Sequence, residues 1–334
     1  MGKSFLSCDW GTSSFRLRLI DIDSGTTVSE SVSDEGIAWA NEAFAQSKDK
    51  SLQRANFYYA IIDSHIKKIA CIVKDMEEGL PVIVSGMASS NIGILELPYT
   101  MLPFSTGGED IGVKRMGKEN SFAHELNIIS GARTATDVMR GEETQLIGCA
   151  NGHSDDRQLF IFPGTHSKHI TTVNGKATGL KTYMTGELFS LLSGYSILAD
   201  SISAPAETGD EENNTAFGEG VRNGCTDNLS HALFIVRTNH LLKRFSKEAN
   251  YHYLSGVLIG SELGGLPNME PGTITIAGEA RLMNSYLKAC RVLGVGTAIS
   301  TIDAASATIQ GQLLIYRRLY DKLHPAGDHA ITIK

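Results

Sequence analysis

Two short runs in this chain combine glycine with hydroxyl side chains at one constant spacing. Gly11-Thr12-Ser13-Ser14 and Gly164-Thr165-His166-Ser167-Lys168 align Gly11, Thr12 and Ser14 with Gly164, Thr165 and Ser167. Glycine lets a backbone approach an anion closely, while turn N–H groups and Thr or Ser hydroxyls donate to phosphate oxygens. Either run alone reads most simply as a tight hairpin turn. The two together read as a phosphate clamp. Asp9, just before the first turn, cannot bind phosphate directly, but it suits a hydrated Mg²⁺. That ion takes one or two carboxylates together with phosphate oxygens and water.

A second dense run occupies residues 137–146, Asp-Val-Met-Arg-Gly-Glu-Glu-Thr-Gln-Leu. It reads equally as an N-capped helix with acids in its first turn, which the helix dipole favours. The functional reading puts a general base, worth about 10²–10⁴-fold in rate, beside Arg140 as an anion binder. Asp137, Glu142 and Glu143 are all candidates for that base. Residues 275–279 make a buried strand that ends in Gly278-Glu279 at the start of a helix. Such a corner admits a flat adenine, or is a plain strand-to-helix turn. Other chemistries lack their motifs. No GxxxxGK[ST] loop and no GxGxxG after a strand occurs. His166 and His169 have no third zinc ligand nearby, and Ser85-Gly86-Met87 fails the GxSxG elbow pattern.

Alternating and buried strands must carry the two turns. Residues 5–8 read as a short buried strand ending at Asp9, residues 15–19 alternate apolar with polar, and a third strand follows at 28–32. The same plan returns at 158–162 and 170–173, where Asn174-Gly175 is a hairpin signal. Between the hairpins, helical spacing runs over 55–76, and a strand at 80–84 feeds the loop 85–91. Further helices are expected near 187–201, 215–225, 229–246 and 251–264. A strand at 273–277 leads into a helix that runs to 293, and a last helix spans 304–320. Residues 204–214, with Glu207, Asp210, Glu211 and Glu212, read as an acidic surface loop. Two related halves result, 1–155 and 156–334, the last helix crossing back onto the first half. Their turns would face each other across a cleft.

Composition agrees with this plan. A length of 334 residues suits about two domains, and 42% apolar residues supply enough core to exclude disorder. A net charge of −7 argues against nucleic acid and membrane surfaces as partners, since both need a basic face. Cys8, Cys71, Cys149, Cys225 and Cys290 form no CxxC pair and read as free thiols of a reducing cytosol. No signal-peptide pattern is visible, and no apolar run reaches the roughly 18–20 residues of a membrane span. The expected location is cytoplasmic.

With these residues in view, the sequence resembles the 2-dehydro-3-deoxygalactonokinases, sugar-acid kinases of the actin/hexokinase/Hsp70 ATPase superfamily. The resemblance is carried by Asp9-Trp10-Gly11-Thr12-Ser13, Gly86-Met87, Ser90-Asn91, Gly93, Pro98-Tyr99 and the run 137–145. It continues through Pro163-Gly164-Thr165-His166-Ser167-Lys168, Thr185-Gly186-Glu187-Leu188 and residues 254–260. It implies an α/β fold of two ribonuclease-H-like (actin-like ATPase) domains with an interdomain nucleotide cleft. It also implies ATP and Mg²⁺, and transfer to the terminal (6-) hydroxyl of 2-dehydro-3-deoxy-D-galactonate. Carried over, Asp9 holds Mg²⁺ through water, and Gly11, Thr12, Ser13 and Ser14 form the first phosphate motif. Gly164, Thr165, His166, Ser167 and Lys168 form the second, and Gly278 with Glu279 matches the adenosine corner. Glu143 is the favoured base, with Glu142 and Asp137 behind it.

A substrate carboxylate needs a cationic or N–H site, and Ser89, Ser90, Asn91 and Arg140 are the candidates for it. The chain departs from the family pattern at Ser89, Ile94, Ser130 and His169, and Ser89 and Ile94 leave another keto-deoxy acid or a hexose open as substrate. A nucleotide-binding regulator and a phosphatase or ATPase of the same fold are the rivals from other classes. The partner expected is a small sugar acid, with a homodimer left open.

Overall fold

The computed structural model describes residues 3–49, 51–118, 122–150, 156–205, 211–266, 272–296 and 298–320. The chain divides into two compact units. The first comprises residues 1–155, 174–179 and 304–334, and the second comprises 156–173 and 180–303.

In the first unit, β1 (Ser4–Trp10) turns tightly into β2 (Phe15–Asp21), which pairs with β3 (Thr27–Ser33). Phe5, Leu6, Cys8 and Trp10 of β1 are fully buried, whereas β3 exposes its Thr, Val and Glu side chains at the sheet edge. Helices α1 (Ile37–Ala45) and α2 (Arg54–Ile72) follow, then β4 (Val82–Gly86), a 3₁₀ turn at Met87–Ser89, β5 (Thr100–Met101) and β6 (Phe104–Ser105). Next come β7 (Val113–Met116), β8 (Leu126–Ile129), β9 (Ala132–Arg133), β10 (Val138–Met139) and α3 (Glu142–Cys149). The main sheet runs β3-β2-β1-β4-β8-β7, with β1, β4 and β8 parallel. Helix α2 buries Tyr58, Ile62, Ile66 and Ile69 on one face, the 3.6-residue period of an amphipathic helix.

The second unit carries β11 (Gln158–Phe162), β12 (Ser167–Val173), β13 (Lys176–Tyr183) and α4 (Thr185–Tyr195). Helices α5 (Glu211–Thr226), α6 (Leu229–Leu241) and α7 (Lys247–Leu263) precede β14 (Thr273–Gly278), α8 (Ala280–Val292) and β15 (Ile299–Asp303). Its strands run β15-β14-β11-β12-β13, with β11, β14 and β15 parallel. Both units therefore follow one plan: a meander in order third, second, first, continued by two parallel strands. Asn174 (φ 52°) and Gly175 (φ 67°) close the β12–β13 hairpin, the left-handed pair of a two-residue turn. This tip counts with the first unit, where Lys176 and Ala177 pair with Ser105 and Phe104 of β6.

Helix α9 (Ala304–Tyr320) also counts with the first unit. It meets α3 backbone to backbone. A Cβ on Gly148 would lie 1.9 Å from the Ala307 carbonyl oxygen, and one on Gly311 would lie 1.9 Å from that of Thr144.

Several expectations shift. The run 137–146 is not one helix, because Val138–Met139 pairs with β9 and α3 begins only at Glu142. Gly141 occupies the cap position and offers no side chain. The expected acidic loop at 204–214 ends early, since Glu211 and Glu212 open α5. Glu207 and Asp210 lie outside the described residues. All five cysteines are free, with Cys8, Cys149 and Cys290 buried but Cys71 exposed. Among the described residues, no helix is long and apolar enough to cross a membrane.

Candidate active site

In the first unit the site grows from the C-terminal ends of β1 and β4. The turn 11–14 closes with the Gly11 N–H donating to the Ser14 carbonyl at 2.9 Å. The carbonyls of Gly11 and Thr12 accept from the Ile37 and Ala38 N–H groups at 3.0 and 3.1 Å. The first turn of α1 thus takes up the turn's oxygens, and exposed Thr12 and Ser13 are left to present N–H and hydroxyl. Only glycine fits at 36, where a Cβ would lie 2.3 Å from the Thr12 oxygen.

Asp9 stands opposite Arg16 in the β1–β2 ladder, and Arg16 Nη1 lies 3.6 Å from its carboxylate and 3.0 Å from Ser14 Oγ. Burial raises the Asp9 carboxyl above its ordinary value, and Arg16 and Arg18 oppose that shift. Beside Asp9, Gly86 ends β4 at φ 89° and passes so close to Trp10 that a Cβ would sit 2.7 Å from its carbonyl oxygen.

Gly141 packs against Gly86 in turn, with φ 105°, a conformation that L side chains rarely adopt. From that cap the α3 backbone turns Glu143 inward. Its two carboxylate oxygens accept the Gly141 N–H at 3.0 and 2.8 Å, and Thr144 Oγ1 donates at 3.1 Å. Burial first, and the charge of Glu142 second, push its carboxyl up to about 8. Glu142 is half-exposed and accepts the Arg140 N–H at 3.1 Å. Asp137 sits at the β9–β10 turn, where it accepts the Val138 N–H at 2.8 Å.

Arg140 is drawn into the protein. Its Nη1 donates to the Ser89 carbonyl at 2.6 Å and to Ser89 Oγ at 2.7 Å. Nε donates to the Tyr99 hydroxyl at 3.1 Å, Nη2 to the Leu97 carbonyl at 3.3 Å, and the guanidinium stacks 4.0 Å above the Tyr99 ring. Most of its donors are thereby committed to the segment 86–99, so it organises that loop. Ser89 and Ser90 are buried there, while Asn91 is exposed. Arg54 braces the same loop, donating to the Asn91 and Gly93 carbonyls at 2.9 and 3.3 Å.

The second unit repeats the arrangement. Turn 163–166 joins β11 to β12, and the Glu187 N–H, in the first turn of α4, donates to the Thr165 carbonyl at 3.0 Å. Gly186 is the counterpart of Gly36, since a Cβ there would lie 2.5 Å from the Gly164 oxygen. Thr165 and His166 are exposed, and His166 Nε2 pairs with the Glu187 carboxylate. Gly278 ends β14 beside the turn, its Cβ direction 3.4 Å from the Pro163 ring, and exposed Glu279 caps α8. Ser167 and Lys168 differ from the other motif residues, because both are buried in β12. The Ser167 hydroxyl is spent on Glu262 at 2.6 Å.

Two supporting residues escaped sequence reasoning. Gln312 of α9 donates from Nε2 to the Cys8 carbonyl and to Ser85 Oγ, both at 2.8 Å, and so ties β1 to β4 beneath Asp9. Glu262 collects Ser167, His169, Thr185 and Tyr286. The signal for each was a polar residue on the buried face of an apolar helix.

Comparison with known proteins decides the family. The model of the 2-keto-3-deoxy-galactonokinases matches residues 9–315. The chain belongs to the 2-keto-3-deoxy-galactonokinase family. It is 32% identical over 244 residues to the 2-dehydro-3-deoxygalactonokinase of Escherichia coli (strain K12), covering 70% of this chain and 78% of that one. A crystal structure of a Sinorhizobium meliloti protein assigned to the same kinases superposes with a TM-score of 0.77 at 27% identity. The match covers 95% of this chain and 99% of that one. The activator of 2-hydroxyisocaproyl-CoA dehydratase from Clostridium difficile, solved with ADPNP, shares the fold at a TM-score of 0.51 and 11% identity, covering 97% and 98% of the two chains. The paired five-strand plan and these neighbours make this an actin-like ATPase fold, as its motifs imply.

Proposed function

We propose that the protein is an ATP-dependent kinase that phosphorylates the terminal (6-) hydroxyl of 2-dehydro-3-deoxy-D-galactonate, working in the cytoplasm. The observation that carries the reading is the close backbone succession Trp10–Gly86–Gly141, which runs from the strand end that bears Asp9 and the turn 11–14 to the cap just before the buried Glu143. Family membership and the named Escherichia coli relative support the substrate class.

The donor set suits Mg²⁺. Among the described residues, no three His, Cys, Asp or Glu side chains converge as a cage. A single strand-end carboxylate matches the way Mg²⁺ is usually held, through water and phosphate oxygens. Asp9 would hold it, and when bound with ATP it would supply positive charge to offset the negative charge on the phosphoryl oxygens.

The chain's own residues do the rest. Thr12, Ser13 and Ser14, and separately Gly164, Thr165 and His166, offer N–H and side-chain donors to phosphate oxygens. Their geometry is held in advance by α1 and α4, so little reorganisation accompanies transfer. Glu143 accepts the proton of the attacking hydroxyl. A carboxyl lifted to about 8 lies close to working pH, where a general base is most effective. The segment 89–91, shaped by Arg140, receives the sugar acid.

The test is ADP release with Mg-ATP across a panel of 2-keto-3-deoxy sugar acids and hexoses. Turnover is expected with 2-dehydro-3-deoxy-D-galactonate and little with hexoses. ATP binding without turnover on any panel member overturns the kinase reading, and phosphate release without sugar identifies an ATPase instead.

A further inference from the structure

Glu262, near the end of α7, has a side chain only 1% exposed, and no step of the proposed reaction uses it. A buried charge is costly unless it is well paired, and this one is paired four times. One oxygen accepts from Ser167 Oγ at 2.6 Å and His169 Nε2 at 2.8 Å. The other accepts from the Tyr286 hydroxyl at 2.7 Å and from Thr185 Oγ1. Burial alone would raise this carboxyl, but the contacts with His169, Ser167 and Thr185 hold it below its ordinary value.

The donors are not scattered. Ser167 opens β12 directly after the turn 163–166. Thr185 opens α4, whose next residues grip the same turn through Glu187 N–H and Gly186. Tyr286 belongs to α8, which starts immediately behind Gly278 and Glu279. One carboxylate therefore joins the three elements that border the second turn. The first unit backs its own turn with similar chemistry. Buried His65 pairs with Glu35 at 2.8 Å, and the Glu35 carbonyl accepts Trp10 Nε1–H at 2.8 Å just before Gly36 meets the turn.

We propose that Glu262 is a positioning residue for the nucleotide: it locks the turn 163–166, the start of α4 and α8 into one arrangement that receives phosphate. This rests on the kinase reading for the ligand's identity. Without the carboxylate, the turn's N–H and hydroxyl donors would still exist but would have to be ordered by the ligand, which weakens binding.

The experiment measures ADP affinity of the whole protein by calorimetry, together with KM for ATP and for the sugar acid. Glu262→Gln keeps the shape and removes the charge, and Tyr286→Phe removes one donor at constant shape. Each is expected to weaken ADP and raise KM for ATP by about tenfold, the worth of one hydrogen bond to a charged group. KM for the sugar acid should stay at the wild-type value. Tyr286→Phe decides the matter if the Gln variant fails to fold. Wild-type ADP affinity in a folded variant, or equal rises in both KM values, overturns the proposal while leaving the kinase reading intact. A wild-type protein that binds no ADP overturns the nucleotide reading itself.

Discussion

Glu143 closes the start of its own helix, its Oε2 accepting the Gly141 N–H at 2.8 Å while the side chain is shut away from water. The carboxyl is consequently held by backbone at a point where Gly141 touches Gly86 and Gly86 touches Trp10. Its ionisation is expensive, and several consequences of that can be measured.

Glu143→Gln should lower kcat by about 10²–10⁴-fold with KM for ATP little changed, as loss of a general base does. The same variant should be more thermally stable at high pH. The folded carboxyl sits at about 8 against an ordinary 4.5. The folded wild type therefore keeps that proton up to about 8 while the unfolded chain releases it near 4.5, so stability is full below 4.5 and falls as pH rises from 4.5 through 8. Melting curves at pH 5 and pH 9 should show the variant's advantage only at the higher pH. An equal melting temperature at pH 9 would contradict the buried assignment.

In the wild type, kcat/KM should climb with pH through a midpoint near 8, because the ionised base is the active form. Glu142 contributes to that value by repulsion. Glu142→Gln should therefore move the midpoint to lower pH without abolishing activity. A midpoint that stays in place assigns the titration to another group.

Arg140→Lys should raise KM for the sugar acid by about tenfold and leave KM for ATP unchanged. A lysine cannot keep the fork that joins Ser89, Leu97 and Tyr99, and each lost charged hydrogen bond is worth about 1.5–3 kcal/mol. If KM for ATP rises instead, the loop 86–99 serves the nucleotide.

Gly148→Ala should destabilise the protein by about 1–3 kcal/mol or more, because its methyl would enter the α9 backbone at Ala307. Gly194→Ala is the control. Gly194 lies in α4 with open space around it, so removing its unfolded-state freedom should be neutral or stabilising by about 0.4–1 kcal/mol. Urea midpoints of the two variants should move apart. Matching midpoints would mean that α3 and α9 do not make the close contact.

Much of this was legible in order along the chain. The two hairpins, their Gly-Thr turns and the Asn174-Gly175 reversal are local events, settled among residues fewer than about twenty apart by alternation and turn chemistry. Each half opens with such a hairpin, so the duplication follows from the sequence alone, and the fold class is what the family resemblance carried by the same motifs implies. The carboxylate run at 142–143 and the Gly278 corner were visible for the same reason.

What the sequence could not reveal is where each polar side chain spends its donors. Gln312 reaches Cys8 across some three hundred residues, Arg140 turns in toward Ser89, and the Ser167 hydroxyl faces Glu262. Those partners are chosen when strands and helices pack, since packing decides which face of an element loses water. The same packing lifts Glu143 to about 8, for a carboxyl's proton affinity depends on what surrounds it. The kind of residue at each site was written in the order of amino acids. Its charge state and its hydrogen-bond partner were decided only by burial.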